Sequence, residues 1–304
     1  MTLIILLYAL FASSFSIGKV LVGQTTPIFL TGARMLLGGV ILLLYQRLWS
    51  PSQFRFKKKH LWLFIQLVFF GVYINYIFRF WALNYLPSSK TCFLYNFSPF
   101  LSSFYLYLLY NERMTNRQWG GLIIGFLGMI PILLSSSQDE SLMGSFLFIS
   151  LPEFAVLLSV ATHSYSWIVL RKLVRDKQYD PTMANGLSMT TGGLLALMTS
   201  FFIEGVPQVA DVSTFSFWLC LATLISNIIC YNLYAFLLRQ YTPTFLSFAG
   251  FLAPLFAAFY GWAFLGEIIT WHFYVSACIV FSGLYIFYKD EMKNIADKQS
   301  TCEL

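Results

Sequence analysis

The sequence predicts an all-α membrane protein, with ten transmembrane helices arranged as two inverted five-helix repeats. Three observations lead there. Charged residues make up only 11% of the 304-residue chain and hydrophobic residues 58%, whereas an ordinary soluble domain carries about 25% charged residues. Long apolar runs recur from end to end, and the basic residues collect in alternate loops. The mean hydropathy of +0.69 and the 19% aromatic content exclude a disordered chain, which is poor in aromatics and rich in charge. Ten spans of ~20 residues use roughly two thirds of the chain, so what remains makes loops and tails rather than a soluble domain.

The apolar runs, taken in order, are Leu3–Val22, Pro27–Gln46, Leu61–Asn84, Ser88–Tyr110, Gln118–Ser135, Gly144–Leu170, Met183–Phe202, Thr214–Leu238, Pro243–Leu265 and Trp271–Tyr288. The first has no basic residue before it and leads directly into the second, so it reads as a retained span rather than a cleaved signal. The loops after spans two, four, six, eight and ten carry fifteen Lys and Arg, from Arg47 to Lys298. The opposite loops carry only Lys90, beside Asp139, Glu140, Glu204 and Asp211. By the positive-inside rule both termini are cytoplasmic. The net charge of +6 has its source in these loops and gives no reason to expect nucleic acid. Lys57–Lys59 attracts anionic lipid, and the polar tail after Tyr288 is expected to fray.

No metal or cofactor chemistry is expected. The five cysteines lie mostly in apolar runs with no CxxC pair, which reads as packing. His60, His163 and His272 have no metal-ligand spacing and read as satisfied or surface histidines.

The chain repeats itself at an offset of 155 residues. Pro99 meets Pro254, Glu112 meets Glu267, Thr115 meets Thr270 and Gly128 meets Gly283, while Tyr76 meets Tyr231 and Phe93 meets Phe248. Five spans per copy is an odd number, so the second copy enters the membrane from the other side. Inverted repeats allow two halves to exchange conformations around a midplane site. Pro99 and Pro254 then mark paired bends beside a central cavity.

The residues that carry a family resemblance are spread over nearly the whole chain. Span one has Phe11-Ala12-Ser13-Ser14-Phe15 and then Lys19, and span two has Pro27 and Arg34. Span four has Ser98-Pro99-Phe100 and closes on Glu112-Arg113-Met114-Thr115. The second half repeats this with Ala253-Pro254-Leu255 and Gly266-Glu267-Ile268-Ile269-Thr270. In order, spacing and duplication the chain resembles the EamA-like branch of the drug/metabolite transporter superfamily, and it is also similar to the S-adenosylmethionine carriers of intracellular bacteria. It departs from the pattern at Asn111, where a Gly before the Glu is usual, and at Ile268, which replaces a basic residue. The resemblance implies residues 1–140 as a first EamA-like repeat, 141–288 as a second, inverted one and 289–304 as a cytoplasmic tail. It implies a multi-pass protein of the bacterial inner membrane that moves a small metabolite without hydrolysing nucleotide.

Lys19, Arg34, Arg79 and Glu153 fall inside the apolar runs, where a charge costs ~2.5–3.5 kcal/mol and usually faces an internal cavity. Arg34 and Glu153 enter from the same side to similar depth, either as an ion pair or as substrate contacts. Lys19 and Arg79 either snorkel to the interface or face inward; Asn75 and Arg79 share a helical face. An interior with three cations and one acid suits an anionic group, since a carboxylate docks well on Arg. Glu153 then holds an ammonium or another cation, or carries a proton. Tyr95, Asn96, Ser164, Trp167, Asn227 and Tyr231 lie at comparable depth, where they either join helices or give amide donors and aromatic faces to a purine and a sulfonium. The expected function is secondary transport of a small zwitterionic metabolite, most specifically S-adenosylmethionine in exchange for S-adenosylhomocysteine. The alternatives are an amino-acid exporter and a transporter of phosphorylated sugars or nucleotide-sugars. An enzyme needs a nucleophile–base pair or a metal cluster at membrane depth; Ser164 beside His163 is the nearest approach, and adjacent helical residues point apart.

Overall fold

A computed structural model describes residues 2–54, 56–86, 91, 94–128, 145–146, 149–206, 208–265 and 271–302. Lys90, Phe93, Asp139, Glu140, Glu267 and Thr270, which entered the expectations above, lie outside the described residues. Helices α1 (Thr2–Val22), α2 (Pro27–Trp49) and α3 (Lys58–Tyr85) are followed by a 3-10 turn at Tyr95–Phe97, then α4 (Ser98–Tyr110) and α5 (Asn116–Leu127). Helices α6 (Leu151–Asp176), α7 (Pro181–Ile203) and α8 (Val212–Leu237) come next, then α9 (Pro243–Ala249), α10 (Leu252–Leu265) and α11 (Trp271–Cys302). Six of these, α1 to α3 and α6 to α8, are long and apolar enough to cross a membrane. Their outward faces carry residues such as Leu48, Phe202 and Ile203, the second of them 80% exposed. Water penalises such a surface and lipid does not.

Four boundaries differ from the expected spans, each for a local reason. The sixth helix begins at Leu151 rather than Gly144. Ser150 caps it through a reciprocal pair with Glu153, and Pro152 sits in its first turn. Before it, Ser145–Phe146 pairs antiparallel with Ile149–Ser150. The ninth span is not continuous: it breaks at Gly250–Phe251, and Pro254 lies in the first turn of α10. The fourth shows the same device, with α4 starting at Ser98–Pro99 after its 3-10 turn. A proline has no N–H to donate and is tolerated in a first turn. The tenth helix runs past Tyr288 to Cys302.

Counterpart elements in the two halves share unusual features. The stretches Leu67–Ile74 in α3 and Thr223–Cys230 in α8 are both wound as π-helix. Each ends within two residues of a tyrosine, Tyr76 or Tyr231, and such widened turns gather at functional sites. The most extensive helix pairing is α2 with α7, and α5 also packs along α11. Glycines bring these backbones together. A Cβ at Gly39 would lie 2.4 Å from the Thr190 backbone N, one at Gly193 2.5 Å from the Leu36 N, and one at Gly32 2.6 Å from Leu197 Cγ. The partner number falls as the residue number rises, so α2 and α7 run antiparallel. The α5–α11 contact behaves the same way: Gly121 faces Phe287 and Gly128 faces Val280.

Carboxylates tie the two ends of the bundle. At one end Glu204 accepts from the backbone N of Ile28 and Phe29, each at 2.9 Å, and from Thr26 Oγ1 at 2.7 Å. A negative charge is favourable at that helix N-terminus. At the end where most Lys and Arg lie, Asp290 accepts from Thr115 Oγ1, and Glu291 accepts from the Thr242 N at 3.0 Å and Gln118 Nε2 at 3.2 Å. Burial pushes the Glu291 carboxyl above its ordinary range, against the opposing pull of the Thr242 hydrogen bonds. Arg171 meets Glu112 beside it at 3.4 Å.

Candidate functional site

A cavity opens between the helices, with about 640 Å³ of space counted out to its open side. The π-wound stretch of α3 delivers Tyr76 and Arg79 to it. The 3-10 turn and the start of α4 add Tyr95, Asn96 and Ser98, and α1 adds Tyr8 and Phe11. From the second half come His163 and Trp167 on α6, Tyr231 and Tyr234 on α8, and Ser247, Gly250 and Ala253 around the break before α10. Breaks in helices are thus where the chain brings small and polar groups to the cavity, as irregular backbone does in membrane proteins generally.

Among the described residues, Arg79 is the one Lys or Arg side chain in this lining, and no Asp or Glu joins it. Its guanidinium carbon lies 5.6 Å from the Tyr76 ring centre, 5.9 Å from Phe80 and 5.4 Å from Tyr95. Seven aromatic side chains line the rest. Trp167 stacks on Tyr234 at 3.9 Å, and its indole N donates to His163 Nε2 at 2.8 Å. An indole N–H only donates, so Nε2 is the accepting nitrogen. His163 Nδ1 faces the Asn75 amide at 3.0 Å.

The candidates expected from the sequence separate into two sets. Arg79, Tyr95, Asn96, Trp167 and Tyr231 line the cavity. Asn75 and Ser164 stand directly behind it: Asn75 Oδ1 accepts from Tyr95 Oη at 2.9 Å and from Ser159 Oγ at 2.7 Å, and Ser164 Oγ bonds Ser98 Oγ at 2.8 Å. Arg34 is fully buried. Its Nε donates to Asn227 Oδ1 at 2.8 Å, and its guanidinium carbon lies 5.8 Å from the Tyr76 ring and 5.7 Å from Phe80. Two arginines therefore share one pair of rings, and only Arg79 reaches the cavity.

Three expectations are corrected. Arg34 pairs with Asn227, not with Glu153. Glu153 sits at the mouth of α6, where its carboxylate accepts from the Ser150 backbone N, because the helix starts seven residues later than the apolar run suggested. Lys19 does not line the cavity: it is exposed, and Nζ donates to the carbonyls of Leu83 and Leu86, the latter at 3.0 Å, closing the end of α3. Pro99 and Pro254 lie next to the cavity residues Ser98 and Ala253. Sequence reasoning left out Tyr8, Phe11, Tyr76, Ser98, His163, Tyr234, Ser247, Gly250 and Ala253 as site residues. The repeat could have found most of them. Tyr8/His163, Tyr76/Tyr231, Arg79/Tyr234, Tyr95/Gly250 and Ser98/Ala253 are all 155 apart, so ten of the fourteen lining residues form offset pairs. Tyr76 Oη even donates to Tyr231 Oη at 2.8 Å, one counterpart to the other.

The model of the EamA-like transporter family matches residues 1–134 and again 150–289. The chain belongs to this family. It is 33% identical over 291 residues, 93% of this chain and 90% of the relative, to a protein of Chlamydia muridarum (strain MoPn / Nigg) named S-adenosylmethionine/S-adenosylhomocysteine transporter. A protein of the same name from Chlamydia trachomatis serovar L2 is 34% identical, covering 93% of this chain and 87% of its own length. The uncharacterized transporter YoaV of Bacillus subtilis is 24% identical over 277 residues, 88% of this chain and 89% of that one. A solved structure described as "Crystal structure of protein" superposes with a TM-score of 0.74 over 96% of both chains at 15% identity, which speaks to the fold alone. As an EamA-family member this chain is a multi-pass membrane transporter of a small molecule.

Proposed function

We propose that this transporter takes up S-adenosylmethionine in exchange for S-adenosylhomocysteine by alternating access. The reading places ten helices in a bacterial inner membrane, with both termini cytoplasmic and residues 1–140 and 141–288 as inverted repeats. The antiparallel α2–α7 and α5–α11 contacts support the inversion, and the double match to the family model supports the repeat. The observation that carries the substrate is the cavity's chemistry: one arginine, seven aromatic side chains and, among the described residues, no acid in the lining.

Arg79 receives the substrate carboxylate through charge-assisted hydrogen bonds. The sulfonium and ammonium lie over aromatic faces, where a desolvated cation gains ~2 kcal/mol or more, so the role first given to Glu153 passes to rings. Arg34 adds positive potential from behind Tyr76. A lining whose described residues include no acid does not demand a positive sulfur, and it accepts the thioether of S-adenosylhomocysteine as well, which an exchanger needs. Pro99 and Pro254 sit at the two breaks and let the half-helices tilt. Names of relatives 33–34% identical over nearly the whole chain agree with this substrate.

The test is uptake into proteoliposomes, screening labelled S-adenosylmethionine against amino acids and sugar phosphates. Uptake of S-adenosylmethionine alone is expected. Movement of amino acids only, or of a sugar phosphate only, replaces the substrate.

A further inference from the structure

Not all the offset pairs that line the cavity match in size. Tyr95 has Gly250 as its counterpart, and Ser98 has Ala253. In the first half the Tyr95 ring lies 5.6 Å from the His163 ring and 5.4 Å from the Arg79 guanidinium carbon. The counterparts of those neighbours are Tyr8 and Tyr234, and both face the cavity. Phe11 stands between them, 6.0 Å from the Tyr8 ring and 6.4 Å from the Tyr234 ring. The counterparts of these two neighbours are therefore present and turned to the cavity, while position 250 itself carries no side chain. Asn75 and Ser159, which hold the Tyr95 hydroxyl, have the buried, apolar Cys230 and Ile4 as counterparts.

We propose that this part of the cavity, walled by Tyr8, Phe11, Tyr234, Gly250 and Ala253, is the seat of the substrate's flat aromatic ring system. The ligand supplies the ring that the second half lacks, and so it completes the pattern of the first half. Aromatic neighbours hold such a ring by offset and edge contacts. The Ser247 and Tyr234 hydroxyls, 3.5 Å apart, offer polar atoms to its edge. Arg79 is not part of this wall, so the two ends of the substrate meet different chemistry and binding has one orientation. The seat stands on the offset pairs; its assignment to an adenine ring rests on the transport reading above.

The experiment is calorimetric titration of the purified full-length protein in detergent with adenosine, methionine and S-adenosylhomocysteine. Wild type is compared with Ala253→Leu and the milder Ala253→Val, and the thermal midpoint is recorded for each. A side chain grown into a filled site costs binding steeply. Adenosine and S-adenosylhomocysteine are expected to weaken about tenfold or more in Ala253→Leu and by less in Ala253→Val, with methionine unchanged in both. Unchanged adenosine affinity in either folded variant, or equal loss of adenosine and methionine, overturns the seat, as does a wild type that binds no adenosine. If adenosine binds and the variants lose it, while S-adenosylmethionine is not transported, the seat stands and the substrate reading falls.

Discussion

The first and second halves share a skeleton and differ in decoration. Both carry a π-wound stretch ahead of a cavity tyrosine and a break ahead of a proline, at matching places. Yet where the first half places Arg79, Tyr95 and Ser98, the second places Tyr234, Gly250 and Ala253. On the exchange proposed above, a common backbone provides the two conformations that alternation requires, and unequal side chains give the ligand a polar end and an aromatic end. In that reading symmetry serves movement and asymmetry serves recognition.

The largest stability effect is expected where the halves differ inside the core. Val72 is the counterpart of Asn227, and Asn227 is the residue that accepts from buried Arg34. Asn227→Leu leaves that charge short of an acceptor and should cost about 2–3 kcal/mol, read as a drop in the thermal midpoint in detergent. An unchanged midpoint would mean that Arg34 finds another partner. Next comes the seam where counterpart helices meet. Gly39→Ala sets a Cβ against the Thr190 backbone and should destabilise by about 1–3 kcal/mol. Gly120→Ala, with nothing within 4 Å, should be neutral or stabilise by up to about 1 kcal/mol. The same substitution with opposite sign marks the antiparallel contact as the one that matters.

Much of this was legible in the chain. The offset of 155 emerged from Pro99/Pro254 and Tyr76/Tyr231, because identical residues at one spacing survive where packing demands them. Arg79, Tyr95 and Trp167, which line the cavity, were singled out because polar and aromatic groups at mid-span depth have few bland explanations. Glu153 was misplaced because an apolar run does not reveal its own first turn. The Ser150–Glu153 capping box was written in the sequence and outweighed by hydropathy. Gly250 and Ala253 were invisible for a different reason: hydropathy registers side chains, and a seat made by missing ones leaves no signal except through the repeat.

Smaller effects refine the picture. Trp167→Phe keeps a ring on Tyr234 but removes the donor to His163, and should cost about 1 kcal/mol of stability in an unfolding titration. A variant as stable as wild type would show that the His163 contact adds nothing. The smallest effect is a pH slope at the basic end. Glu291 is buried and its carboxyl is raised, so the folded protein binds a proton that the unfolded chain has released. Its contribution is fully present below the ordinary glutamate value of 4.5 and is lost as pH rises through the raised value. Glu291→Gln should flatten that part of the midpoint-against-pH curve, and an identical slope would place the titrating group elsewhere.

The division of labour between the halves is tested most directly by one affinity measurement on one counterpart pair. S-adenosylhomocysteine is titrated into wild type, Arg79→Met and Tyr234→Phe. Losing the carboxylate's partner should weaken binding by about a hundredfold in Arg79→Met, with Tyr234→Phe within a few-fold of wild type. Equal affinity in wild type and Arg79→Met would contradict a site whose charge comes from the first half.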